Sequence, residues 1–207
     1  MGDSNYELQS GKILFNDKEL NDLDITQRAR AGIYLVNQSP IEVPGVTNAE
    51  MLRMAISSKT GQNVSLFEFN KKLEDICDAL AIPRSFIHRG INEGMSGGER
   101  KKNELLHLWM LEPSFIILDE LDSGLDVDAL QILCDSINEY RQKHNASVLI
   151  ITHHDEVLSK LGVQHVHILS DGKIVKSGNL DLALEISKEG FFKYYKANNI
   201  SGSSKDE

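Results

Sequence analysis

Apolar residues fall into two kinds of run along this chain. One kind is short, unbroken and rich in β-branched residues: IYLV over 33–36, FIILD over 115–119 and SVLIIT over 147–152. Such runs predict strands buried on both faces. The other kind recurs at helical spacing. Leu66, Phe69, Leu73, Ile76 and Leu80 mark a helix over 66–80, and Val127, Leu130, Leu133, Ile137 and Tyr140 mark a longer one over 127–144. Thr47 or Asn48 can cap a helix that runs to Ser57. Ser96 can cap another over 98–111, which Glu112 and Pro113 end. Shorter signals complete the pattern: a helix over 25–30, a strand over 12–15 followed by the polar turn NDKEL, and strands over 165–169 and 173–175 joined by the hairpin dipeptide Asp171-Gly172. Pro40, Pro44 and Gly45 predict irregular backbone up to Asn48. A last helix is expected over 181–198, followed by a frayed polar tail.

Strands with continuous apolar runs alternate with helices of a dozen residues or more. That alternation predicts an α/β fold built on a mostly parallel sheet covered on both faces. Residues 44–111 carry helical signals without strand signals and read as a helical insertion. The expected organisation is therefore a partial N-terminal core over 1–43, a helical subdomain over 44–111, the rest of the core over 112–199 and a disordered tail over 200–207. A chain of 207 residues with 41% hydrophobic content can bury such a core.

Charge and cysteine content narrow the function. The net charge of -9 argues against wrapping nucleic acid or an anionic membrane, though a local nucleotide site needs only a few donors. Cys77 and Cys134 are the only cysteines and form no CxxC pair, so a disulfide framework is not expected and a reducing compartment is. No apolar run approaches the roughly 20 residues of a membrane helix. The stretch MGDSNYELQSGK has neither the basic and apolar regions of a secretory signal nor the arginines of a transit peptide. A cytoplasmic protein is the default expectation, with no direct membrane insertion.

Four carboxylates, Asp119, Glu120, Asp122 and Asp126, stand close behind the apolar residues FIIL, and buried charge is costly unless something positive meets it. In open α/β sheets ligands bind beyond the carboxyl ends of strands. Asp119 at such an end can hold Mg²⁺, often through water, and Glu120 beside it, on the opposite side of the pleat, can orient a water toward a phosphate. A strand that simply runs out into a solvated acidic turn gives the same string. GMSGGER, residues 94–100, places Ser96, Gly97 and Gly98 ahead of a helix, where backbone amides attract anions and glycine lets a phosphate approach. A flexible loop with a serine cap is the alternative. His153 follows VLIIT and could contact a γ-phosphate, and Gln38 ends the IYLV strand where its amide could reach a metal or a water. Each of these two is more often structural.

Gln38, then SGGE, ILDE, SGLD and TH occur in the order used by ATP-binding cassette ATPases. The resemblance covers nearly the whole chain. It implies a P-loop NTPase fold with a helical subdomain, ATP and Mg²⁺ as ligands, and a transient homodimer on ATP. Within the family, SGGERKKNELLHLWMLEPSFIILDELDSGLDVDAL, YLVNQSPIEVPGVTN and DGKIVKSGN resemble SufC, the ATPase of the SUF iron–sulfur cluster assembly machinery. The resemblance implies the following roles. Gln38 lies near Mg²⁺ and the γ-phosphate, and Ser96, Gly97, Gly98 and Glu99 form the signature loop facing ATP on a second copy. Asp119 serves Mg²⁺, Glu120 orients the water, Ser123, Gly124, Leu125 and Asp126 form the D-loop, and His153 is the switch histidine. SufB-like and SufD-like proteins would be the partners, this chain would hold no cluster itself, and its setting would be cytoplasm or a plastid stroma.

One family element has no counterpart: no GxxxxGK[ST] occurs in the 207 residues. That loop cradles the phosphates, its Lys neutralises the β and γ oxygens and its Ser or Thr meets Mg²⁺. GDSNYELQSGKILFNDKEL resembles family sequence that follows the loop. The expectation is a chain shortened at its N-terminus, inactive alone, with a sheet edge exposed. Two other functions compete: the ATP-binding subunit of a membrane transporter, and a non-enzymatic partner-binding module. Secondary candidates carry less. His165 and His167 share a strand face but lack a third metal ligand; Arg100, Lys101 and Lys102 read as a solvated helix face; both cysteines read as buried thiols.

Overall fold

The computed structural model describes residues 1–2, 5–38, 40–120 and 124–190. The chain divides into two compact units, Met1–Ile151 and Thr152–Glu207. The first unit opens with the antiparallel pair β1 (Leu14–Phe15) and β2 (Lys18–Glu19), turned at Asn16 and Asp17 with φ of 50° and 61°. Both residues tolerate that left-handed backbone, which suits a tight hairpin. Helix α1 (Ile25–Arg30) starts at a reciprocal cap. The Asp24 carboxylate accepts from the Gln27 amide, and the Gln27 side chain accepts from the Asp24 amide.

Next come β3 (Ile33–Val36), β4 (Val43–Thr47), α2 (Asn48–Thr60), α3 (Leu66–Ala79), a 3-10 turn at Arg84–His88, β5 (Gly90–Ile91), α4 (Gly97–Leu111), β6 (Phe115–Asp119), α5 (Val127–His144) and β7 (Ser147–Ile151). Three of the strands form a parallel sheet in the order β3-β6-β7, with Ile33 opposite Phe115 and Phe115 opposite Ser147. Gly32 sets the first pairing: its carbonyl accepts from the amides of Ser114 and Phe115, both at 3.0 Å. Its φ is +102°, and a Cβ there would lie 2.6 Å from the Ser114 hydroxyl, so only glycine fits. The central strand β6 buries Ile116 and Leu118, and Val36 on β3 is equally buried.

The parallel sheet and its helices are as the hydrophobic pattern predicts. Three features differ. Residues 40–48 are not wholly irregular, because β4 pairs antiparallel with β5. Val43 meets Ile91 and Thr47 meets Gly90, with an irregularity between them where Pro44 and Gly45 sit. A proline cannot donate to the ladder, so the break falls there. Helix α2 runs three residues past Ser57 to Thr60, and Gly61 closes it with φ 69°. Strand β7, although apolar throughout, leaves Leu149 and Ile151 about half exposed, because among the described residues it has a neighbour, β6, on one side only.

The second unit contains α6 (Asp155–Lys160), β8 (Val166–Ser170), β9 (Lys173–Gly178) and α7 (Leu180–Glu189). Asp171 and Gly172 turn the hairpin with φ of 49° and 75°. Ile168, Leu182 and Ile186 form its core with Val166 and Val175 against them. The six-residue α6 is too short to show a period in sequence. Of the helix expected over 181–198, the part beyond Gly190 lies outside the described residues, as does the tail over 200–207. Both cysteines are free and buried, and burial pushes the Cys77 thiol up to about 11. No described helix is long and apolar enough to cross a membrane.

Candidate functional site

The tip of β6 carries the acidic pair. Asp119 is the last residue of the strand, half-buried, and stands opposite Ile151 of β7. Glu120 leaves the pleat. Its φ is 45°, and its amide donates to the Ile151 carbonyl at 2.9 Å. A left-handed glutamate costs about 1–3 kcal/mol, and such strain concentrates where a side chain must be aimed. The direction of Glu120 is therefore set by this backbone bend, not by strand alternation as the sequence suggests. The Gln38 side-chain amide donates to the Glu120 carboxylate, joining the end of β3 to the end of β6. The structure thus brings Gln38 onto Glu120, beside Asp119.

The second group is the start of α4. Ser96 is the N-cap with extended backbone, and its hydroxyl oxygen accepts from the Glu99 amide. The Glu99 carboxylate in return accepts from the Ser96 amide and hydroxyl, each at 2.8 Å. These bonds, with Arg89 nearby, hold the Glu99 carboxyl below the usual range. The reciprocal cap is legible in the sequence as S-x-x-E. At both Gly97 and Gly98 a Cβ would meet nothing within 4 Å, so the first turn of the helix opens to space. Backbone amides at such a start favour an anion.

Helix α4 is anchored through its interior. Sequence reasoning treats it as amphipathic with Arg100, Lys101 and Lys102 on a solvated face, yet Lys101 and every residue from Asn103 to Met110 are buried. Most of its buried polar groups find partners, the Asn103 Oδ1 oxygen being the exception among the described residues. Asn103 Nδ2 donates to the side-chain oxygens of Asn48 and Asn92, both at 3.1 Å. His107 Nε2 lies 2.7 Å from Asn48 Oδ1, and Asn48 Nδ2 donates to the Phe86 carbonyl. The Tyr34 hydroxyl donates to Glu104 at 3.0 Å, tying β3 to α4. Burial pushes Glu104 up and His107 down to about 4, and burial together with the Glu104 charge pushes Tyr34 up. Arg100 is not free at the surface either: it donates to the Met95 and Pro40 carbonyls and pairs with Glu42.

The remaining predicted residues are placed as follows. Asp126 caps α5, its carboxylate accepting from Ala129 at 2.8 Å. Gly124 precedes it with φ 72°, followed by the half-buried Leu125, and Ser123 lies outside the described residues. His153 belongs to the second unit, is exposed, and its ring lies 4.0 Å from that of His154, tilted by 40°. His167 bonds the Ser177 hydroxyl through Nδ1, and among the described residues no cluster of three or more His, Cys, Asp or Glu could hold a metal ion.

The oxygen chemistry at the β6 tip suits a hard cation: Asp119 offers a carboxylate and Gln38 an amide carbonyl. The open turn at Gly97 and Gly98 suits a phosphate. A further cradle of the GxxxxGK[ST] type is not among these residues.

Comparison with known proteins bears on this arrangement. Residues 3–123 match the family model described as ABC transporter. A probable ABC transporter ATP-binding protein of Streptococcus pyogenes serotype M18 is 42% identical over 193 residues, 92% of this chain and 75% of that protein. A probable ATP-dependent transporter of Synechocystis is 40% identical over 194 residues, again 92% and 75%. The ATP-binding cassette MJ0796, in a dimeric post-hydrolysis state bound to ADP and Pi, has a similar fold, with a TM-score of 0.72 at 19% identity. The likeness covers 85% of this chain and 76% of that one.

Proposed function

The chain belongs to the ABC transporter ATP-binding family, and from that premise we propose that it works as a SufC-type ATPase subunit in iron–sulfur cluster assembly. The coarser part, an ATP-binding cassette subunit, follows from the family itself. The observation that carries the site is the contact of Gln38 with Glu120 beside Asp119, at the carboxyl end of the central strand.

In this reading Asp119 and the Gln38 carbonyl would hold Mg²⁺, which supplies charge neutralisation to phosphate oxygens. Glu120, aimed by its bent backbone and steadied by Gln38, orients a water for in-line attack. The Gly97 and Gly98 amides and the Ser96 hydroxyl would receive the phosphates of a nucleotide held mainly by a facing chain that carries a phosphate cradle, so that two chains close around ATP. Gly124 to Asp126 would lie along that closure. For Ser96 to donate outward, its hydroxyl must leave the Glu99 carboxylate it now meets. These 207 residues offer no phosphate cradle of their own, so hydrolysis requires one from elsewhere.

The SufC-type reading is supported by the run SGGERKKNELLHLWMLEPSFIILDELDSGLDVDAL. The names of the relatives favour a second reading, a transporter subunit docked on an integral membrane protein. Co-expression separates them. With soluble SufB-like and SufD-like proteins, the first reading expects a complex that co-elutes on gel filtration without detergent. Elution of the chain by itself, or only with a detergent-extracted membrane protein, would overturn it.

A further inference from the structure

We propose that Arg100 is a positioning residue that ties the segment 40–42 to the turn before α4, so that the Gln38 side and the Ser96 side of one copy keep a fixed spacing. The nucleotide consequence rests on the function proposed above; the tie itself does not.

The argument starts from backbone carbonyls. Residues 40–42 lie between β3 and β4, outside any ladder, so their carbonyls need other partners. Arg100 Nη1 donates to the Pro40 carbonyl at 3.4 Å, and Asn92 Nδ2 donates to the Ile41 carbonyl at 2.9 Å. The Glu42 carboxylate pairs with Arg100 Nη2. Three successive residues are thus held by groups from α4 or from the loop that leads into it. The same guanidinium donates through Nε to the Met95 carbonyl at 3.0 Å, one residue before the Ser96 cap. Asn92 is itself fixed by Asn103 of α4.

On its other side the segment begins at Gln38, whose amide is on Glu120. Contacts thus join the tip of β6 to Gln38 and, separately, residues 40–42 to the turn before α4, and the covalent chain links the two sets. The guanidinium presents its donors on three separate nitrogens in one plane, which lets Nε, Nη1 and Nη2 each meet a different acceptor on the two segments; the three donors of an ammonium diverge from a single nitrogen and lack that span. The Arg100 and Glu42 side chains are 30% and 40% exposed, so the ion pair adds little to global stability. Its effect is geometric.

Hydrogen exchange of the full 207-residue chain, without nucleotide, tests this. Arg100→Ala is expected to raise exchange of peptides over 38–43 and 92–98 by about threefold or more, leaving α5 unchanged. Glu42→Ala is expected to raise exchange over 92–98, residues that Glu42 does not touch, while the urea midpoint stays put. Arg100→Lys should behave as Arg100→Ala. If Glu42→Ala changes only its own neighbourhood, or nothing, the tie is refuted, and this holds even if Arg100→Ala fails to fold. Wild-type exchange in Arg100→Lys would refute the need for a guanidinium. Because nucleotide is absent throughout, these outcomes are independent of whether the chain serves cluster assembly.

Discussion

Replacing His107 by Gln should flatten the acid side of the stability profile. His107 is fully buried on α4, and its Nε2 sits 2.7 Å from Asn48 Oδ1. Asn48 Nδ2 is committed to the Phe86 carbonyl, so Oδ1 faces the ring and His107 Nε2 must carry the proton. Protonating the ring would place a charge in an apolar interior, which is why burial holds its pKa near 4, below the ordinary 6.5. The folded chain therefore binds fewer protons than the unfolded one between those values. Stability from this group is fully present above pH 6.5 and is lost as pH falls toward 4. From 6.5 to 5 the distance is 1.5 pH units, and at about 1.36 kcal/mol per unit the loss is about 2 kcal/mol. Glu104, pushed up by burial, works in the opposite sense and is common to both proteins. The assay is urea unfolding of wild type and His107→Gln at pH 7 and pH 5. Wild type should lose about 2 kcal/mol more than the variant over that interval. Gln can still donate to Asn48, so the variant keeps the bond and loses only the titration. Equal losses in the two proteins would show that His107 is not held neutral by the fold.

Three further outcomes are expected. Leu149→Lys, on β7, whose strand neighbour among the described residues is β6 alone, should reduce aggregation of the chain in light scattering at a stability cost below about 0.5 kcal/mol, since its side chain is already half exposed; increased aggregation would contradict the exposure of this side chain. Gly98→Ala should stabilise the chain by about 0.5–1 kcal/mol in urea unfolding, because a Cβ meets nothing there and φ is ordinary; destabilisation would mean that the turn is crowded. The 207-residue chain alone should show no sustained Mg²⁺-ATP turnover in a phosphate-release assay, for lack of a phosphate cradle; steady turnover would contradict that.

Much of the fold lies on the surface of the sequence. Strands such as FIILD and helices such as Val127–His144 are set by apolar period and by caps at Thr47, Ser96 and Asp126, all local signals. What the pattern hides is pairing at a distance. Strand β5 is two residues long and exists because Ile91 meets Val43 far upstream. The interior of α4 is hidden for a similar reason. Nothing local marks Asn103, Glu104 and His107 as buried; the bonds of Asn103 Nδ2, Glu104 and His107 are made by Asn48, Asn92 and Tyr34 from other elements, while Asn103 Oδ1 is left without a partner among the described residues. At the candidate site, residue identity is legible but aim is not. Asp119 and Glu120 stand out behind an apolar strand, whereas the left-handed turn at Glu120 and its bond to Gln38 depend on tertiary contacts. Arg100 shows the same limit, since a basic residue after a cap gives no local hint of the carbonyls of Pro40 and Met95.

The central claim is that the tip of β6 is where a metal–nucleotide complex sits. Paramagnetic broadening by Mn²⁺·ATP in amide NMR spectra tests it most directly, because it detects even millimolar binding. The account predicts that the signals of Gln38, Leu118, Asp119 and Glu120 broaden first and that Asp119→Asn abolishes this. Broadening spread evenly over the acidic surface, or unchanged in Asp119→Asn, would contradict it.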